Sequence, residues 1–177
     1  MCLNNSHNQA ADEKPQIMKN NPNIIIKAAT PEDCDKVVAL SNALHIELDG
    51  DEPAHSTNSI HAMMFGPNAM IKSLIAWAGN RAAGQVVFQP FYNPDYSKPG
   101  LWMSELYVTP DMRGQKVGEK LVSALAHYAG QNDYVSIWWS VLLRNEGACR
   151  FYERLGARNS GALQYEIDGT ALATLGG

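Results

Sequence analysis

Apolar and polar positions along the chain fall into short runs of period two and longer runs with helical spacing. Asn23 to Ala29 (NIIIKAA) is a β-branched run suited to a strand, and Thr30 followed by Pro31 has the form of a helix start. The segment EDCDKVVALSNALHIEL continues that helix, with Val37, Leu40, Ala43 and Leu44 at helical spacing. Asp49 to His55 (DGDEPAH) then breaks it as an acidic loop. Ser56 to Phe65 predicts a shorter helix ended by Gly66 and Pro67. Three strand-like runs come next: Ala69 to Ala78, Ala83 to Tyr92, and Leu101 to Val108. Gly79-Asn80-Arg81 links the first two as a tight turn, which predicts a hairpin, and NPDYSKPG joins the second to the third. From Gln115 to Ala129 the residues Val117, Leu121, Val122, Leu125, Ala126 and Ala129 line one helical face. Tyr134 to Val141 returns to strand, Asn145 to Leu155 is helical until Gly156, and Ala162 to Ile167 is a last strand before a short Ala- and Leu-rich tail.

The order β-α-α-β-β-β-α-β-α-β predicts an α+β fold, with helices flanking a mixed, mostly antiparallel central sheet. The length of 177 residues leaves room for one domain, expected over 23–177, with the polar segment 1–22 read as a disordered tail. With 45% hydrophobic and 18% charged residues the composition is that of an ordinary globular chain. A formal charge of -4 gives no general attraction for nucleic acid or an anionic membrane, and no apolar run approaches the roughly 20 residues that cross a bilayer. The segment 1–22 lacks the apolar stretch of a signal peptide, and Cys2, Cys34 and Cys149 fit neither a zinc site nor a disulfide framework. A cytoplasmic protein with reduced thiols is therefore expected. His45, His55 and His61 share a region but no helical face, so no metal site is expected.

The stretch PDMRGQKVGEK, Pro110 to Lys120, stands between a strand and an amphipathic helix. A helix N-terminus leaves about four amides without partners, and with the macrodipole they form a natural anion site. Gly114 and Gly118 would let backbone approach an oxygen, while Arg113 and Lys116 add positive charge. Neither a P-loop nor a dinucleotide fingerprint is present. Taken alone, the same stretch also reads as a solvated connection.

The elements around it carry more. A strand ending in LYVTP, then DMRGQKVG, a helix, a strand and NEGACRFYERLGA resembles the GCN5-related N-acetyltransferases (GNAT), which move acetyl from acetyl-coenzyme A to amines. The resemblance covers roughly residues 24–168, and its specific part is 101–157. The family loop pattern (Arg or Gln)-x-x-Gly-x-(Gly or Ala) is met at Arg113, Val117 and Gly118, with Lys116 where the middle glycine would be. A negative φ at Lys116 would let its N–H still donate. The resemblance implies that amides of Arg113, Gly114, Gln115, Lys116, Val117, Gly118 and Glu119 hold the coenzyme's diphosphate. It further implies that Leu106, Tyr107 and Val108 line the pantetheine arm as an added strand would. Asn145, Ala148, Tyr152 and Gly156 match the family's Asn-x-x-Ala-x-x-x-Tyr-x-x-x-Gly pattern, with Asn145 and Ala148 on the cofactor and Tyr152 near the sulfur.

Catalytic roles follow in the same terms. Tyr152 is a phenol that could protonate the departing thiolate; the alternative is a core aromatic beside Phe151. Glu105 is the one carboxylate of its strand and either takes the amine's proton, directly or through water, or is a structural strand residue. Asp111 is expected to be structural. The acceptor should be a primary amine, small and polyamine-like or lysine-like ahead of a protein terminus, since GQVVFQPFYNP is similar to the diamine and polyamine branch. Glu47, Asp49, Asp51 and Glu52 are candidate attractors for a cation, or simply a solvated acidic loop. Phe91, Tyr92, Tyr96 and Trp102 are candidate walls for the acceptor. A homodimer is expected from the relatives. A non-catalytic coenzyme A-binding or protein-interaction module, or a protein N-terminal or lysine acetyltransferase, is the rival reading.

Overall fold

In a computed structural model of the chain, the described residues are 23–49 and 54–177. The centre is a sheet of order β1-β2-β3-β4-β5, made of β1 (Ile24–Ala28), β2 (Lys72–Ala78), β3 (Arg81–Asn93), β4 (Lys98–Val108) and β5 (Ile137–Trp138). The first four strands pair antiparallel and β5 joins β4 in parallel. Helices α1 (Cys34–Asp49) and α2 (Thr57–Phe65) pack on one face and α3 (Val117–Gln131) on the other; α4 (Glu146–Arg154) and α5 (Gly169–Gly176) follow. This is the α+β architecture with a mostly antiparallel mixed sheet that the pattern predicts.

Local chemistry accounts for the element ends. The Asp33 carboxylate accepts from both the amide and the hydroxyl of Thr30, so the chain enters α1 through a 3-10 turn at Pro31–Asp33. Ser56 caps α2 by accepting from the Ser59 amide. Asn42 on α1 exchanges two hydrogen bonds with the backbone of His55, which draws the start of the α2 segment back onto α1. The hairpin between β2 and β3 turns at Gly79, whose φ of 62° is of the sign a tight two-residue turn demands.

The α3 stripe is narrower than its spacing predicts, since Val122 is only half-buried and Ala126 is exposed. Val117, Leu121, Leu125 and Ala129 are buried against Val86, Phe88, Leu101 and Met103. Each large apolar side chain hidden this way contributes about 1.5–3 kcal/mol. The opposite face is smaller, with Val37 of α1, Ile60 and Met64 of α2 and Ile75 of β2.

One irregularity positions the site. Between β3 and β4 the register jumps, so that Val87 faces Glu105 while Phe88 faces Met103, leaving Ser104 as an extra residue. A bulge of this kind reverses the alternation of side chains. Met103 and Leu106, three apart, therefore both join the α3 face, and Glu105 turns toward α1.

Three expectations are corrected. The strand expected over Tyr134 to Val141 is only Ile137–Trp138, because β4 and the following chain separate after Trp102. The strand expected over Ala162 to Ile167 does not form. Leu163, Tyr165 and Ile167 alternate as a strand would, yet all are exposed, and β5 is too short to offer them a long edge. The tail beyond Asp168 is helical, as α5.

Candidate active site

The edge of β4 beyond Trp102 is the key feature. Among the described residues no strand pairs with β4 there on the side away from β3. Thr109 donates its amide to the Ala83 carbonyl of β3, and strand amides alternate sides. Tyr107 therefore points its amide into the sheet, while Leu106 and Val108 present theirs to the open edge. The Val108 carbonyl lies on that edge too, where it accepts from Arg113 Nε at 3.0 Å. Of the three residues expected along the pantetheine arm, two present main-chain donors to this open edge and Tyr107 does not.

The loop that follows holds the clearest surprise. Lys116, the residue before α3, has φ 62° and ψ 15°, a left-handed conformation rather than the expected negative φ. The physical reason is the turn itself. Gly114 also has a positive φ, of 74°, and Gln115 between them does not. Backbone that alternates hand in this way aims successive N–H groups into one concavity suited to an anion. Val117, Gly118 and Glu119 then add the first three amides of α3, which no preceding turn satisfies. Position 116 thus carries a lysine in the left-handed conformation that glycine adopts most readily.

Gly118 is where the pieces meet. A Cβ there would lie 3.3 Å from Phe151 Cζ and 3.7 Å from Val108 Cγ2, so the loop, the strand end and α4 are in contact. Asn145 caps α4 through Oδ1, which accepts from the Ala148 amide at 3.0 Å, leaving its amide group to donate elsewhere. Gly156, with φ 85°, ends that helix. Tyr152 packs on Trp139 and Phe151, ring centroids 4.8 and 5.1 Å away, and against the core cluster on which Leu106 and Val108 also pack. Burial pushes its phenol up to about 12, so it stays protonated across the neutral range.

On the other face, Glu105 Oε2 accepts from Ser41 Oγ at 2.6 Å and from Gln85 Nε2 at 3.0 Å. Both partners were missed in the sequence. Their signal was a polar residue inside an apolar stripe: Ser41 beside Leu40 and Leu44, and Gln85 within AAGQVVF.

Charges expected to serve ligands are partly committed elsewhere. Arg113 pairs with Glu47 of α1 at 2.5 Å, lies over the Tyr107 ring, and is held more firmly charged than usual by that carboxylate. Glu47 thus ties α1 to the loop, and Asp51 and Glu52 lie outside the described residues. Asp111 is structural as expected: Arg81 grips it at 2.7 and 3.2 Å and holds its carboxyl below the usual range. Phe91 packs on Trp138 at 4.9 Å, and with Pro90, Tyr92, Ser97, Lys98 and Pro99 it lines an open depression of about 400 Å³. Tyr96 stays outside that depression, largely exposed. Among the described residues no group of three His, Cys, Asp or Glu lies together as a metal site would require.

Comparison with known proteins agrees with this geometry. The chain is 25% identical to a thialysine N-epsilon-acetyltransferase of Sus scrofa over 167 residues, covering 87% of this chain and 98% of that one. Its fold matches an integron cassette protein from the mobile metagenome of V. cholerae with a TM-score of 0.75, at 22% identity, over 86% of this chain and 97% of that one. It also matches an aminoglycoside N-acetyltransferase solved in complex with CoA, with a TM-score of 0.69 at 15% identity, over 86% and 99% of the two chains. Residues 35–157 fit the model of the Acetyltransferase (GNAT) family, and the chain belongs to that family of N-acetyltransferases.

Proposed function

We propose that this chain transfers acetyl from acetyl-coenzyme A directly to a primary amine in a ternary complex, the acceptor being a small lysine-like or polyamine-like molecule. One observation carries the reading: a carboxylate and a protonated phenol flank the same open edge of β4. Glu105 stands on its α1 face, and Tyr152 packs on the same α3-side core cluster that Leu106 and Val108 pack on.

The residues present fit coenzyme A. The alternating-hand loop from Gly114 to Lys116 and the first amides of α3 suit a diphosphate, and Leu106 and Val108 offer main-chain donors to an extended arm. The bound coenzyme would supply the acetyl thioester. Glu105 takes a proton from the incoming ammonium, which frees the nitrogen lone pair for attack. An outward N–H of Leu106 or Val108 stabilises the oxygen on which negative charge develops. Tyr152 gives its proton to the sulfur as the carbon–sulfur bond breaks, and its phenolate recovers a proton as the acetylated nitrogen gives up its second one. The lysine-like acceptor is supported by the relatives named for thialysine.

The test is thiol release from acetyl-coenzyme A over a panel of thialysine, lysine, diamines, spermidine and peptides. Amine-dependent release is expected, with Tyr152→Phe lowering kcat about 100-fold or more. Coenzyme A alone should raise the melting temperature of both forms. Stabilisation without release on any amine would identify a non-catalytic module, and no stabilisation at saturating coenzyme would overturn the cofactor reading.

A further inference from the structure

Ser41 Oγ, Gln85 Nε2 and Glu105 Oε2 form a closed triangle with sides of 2.6, 2.8 and 3.0 Å. The three residues come from α1, β3 and β4, 64 and 20 positions from Glu105 and 44 from one another. Ser41 and Gln85 are 1% and 0% exposed, so water does not compete for their protons.

Counting protons fixes the arrangement. The Ser41 hydroxyl has one hydrogen and gives it to Glu105, so it can only accept from Gln85. Gln85 Nε2 has two hydrogens, one for Ser41 and one for Glu105. Two of these three hydrogens go to Glu105 Oε2 and the third to Ser41 Oγ. The amide orientation that achieves this leaves Gln85 Oε1 buried with no partner among the described residues. A carbonyl stranded in this way is unfavourable. The reverse orientation would set it against the Glu105 carboxylate. The cost is borne to hold Oε2 still between two donors.

We propose that Ser41 and Gln85 are positioning residues for acetyl transfer: they lock Oε2 of Glu105, so that Oε1 is the one oxygen that receives the acceptor's proton. The proposal rests on Glu105 as the base. A carboxylate held at one oxygen cannot rotate away from the amine, and its proton arrives on a defined atom. The nitrogen–hydrogen bond breaks as an oxygen–hydrogen bond forms at Oε1, and the nitrogen pair goes to the acyl carbon.

Steady-state kinetics with thialysine and acetyl-coenzyme A separate the outcomes. Ser41→Ala and Gln85→Met should each lower kcat about tenfold, with KM for acetyl-coenzyme A unchanged within twofold. Ser41→Thr, which keeps a hydroxyl, should restore most of the rate. Glu105→Gln should lower kcat further, and adding Ser41→Ala or Gln85→Met to it should cost nothing more, because residues acting through one group are not additive. Losses that multiply in the Glu105→Gln background would show a merely structural role and overturn the proposal. Low activity of Glu105→Gln beside normal rates in Ser41→Ala and Gln85→Met would overturn it while sparing the base. Full activity of Glu105→Gln would remove the base reading itself.

Discussion

The two faces of the sheet are built from different materials. Toward α3 the packing is apolar throughout, from Ile24 and Leu74 to Phe88, Leu121 and Leu125. Toward α1 and α2 the apolar cluster is small, and three of the four buried polar residues, Ser41, Ser73 and Gln85, sit on that side. Ser73 Oγ and Gln85 Oε1 even lack hydrogen-bond partners among the described residues. The larger apolar core and most of the buried polar residues are thus divided by one layer of backbone. The bulge at Ser104 links them, since it turns Glu105 to the polar face while Leu106 and Val108 stay on the apolar one.

The sharpest way to break this division is Phe88→Ala. Phe88 is 1% exposed and meets the Tyr128 ring at 5.0 Å. Its loss should lower the unfolding free energy by about 3–5 kcal/mol. Ser41→Ala on the opposite face should cost only about 1 kcal/mol while lowering the rate. Denaturant unfolding beside kcat for the two variants checks the contrast. Equal losses of stability would mean that the faces do not divide the work.

Next in size is an alkaline effect at Tyr152, where the apolar face holds a titratable group. Its phenol is raised to about 12 by burial, against an ordinary value of about 10 in the unfolded chain. The stabilisation from keeping it neutral is complete below pH 10 and is lost as pH rises through about 12. At pH 11 the loss should be about 1.4 kcal/mol. Tyr152→Phe has nothing to ionise there, so the stability difference between the two proteins should shift toward the variant by that amount between pH 8 and pH 11. A difference independent of pH would show that the ring is solvated.

What was legible in the sequence follows the same division. The apolar face was readable because Val117, Leu121 and Leu125 repeat every four residues, and a repeat survives without knowledge of the partner. Asn145, Tyr152 and Gly156 were singled out by resemblance to a family pattern; Asn145 caps the helix that carries Tyr152, and Gly156 lies just past its end. Ser41 and Gln85 were not, since a polar residue in an apolar run gains meaning only from a partner 64 or 20 positions away. Alternation over Ala162 to Ile167 misled, because it records which side chains share a side and says nothing of whether a neighbouring strand exists. Lys116 misled differently: its identity argued for negative φ, while the loop required a positive one.

That conflict gives the smallest predicted effect. A left-handed conformation costs a residue with a side chain about 1 kcal/mol, and Lys116→Gly removes the cost. Glycine also loosens the unfolded chain, which returns about 0.4–1 kcal/mol. The two nearly offset, so stability should stay the same or rise by less than about 1 kcal/mol. Lys116→Val carries branching into the same conformation without that compensation and should destabilise by more than 1 kcal/mol. Coenzyme A affinity should fall about two- to fivefold in Lys116→Gly, because one positive charge leaves a helix N-terminus that would hold a diphosphate. Calorimetric titration at two salt concentrations checks it. An unchanged affinity would mean that the lysine's charge never reaches the diphosphate, and that position 116 serves the cofactor through its backbone alone.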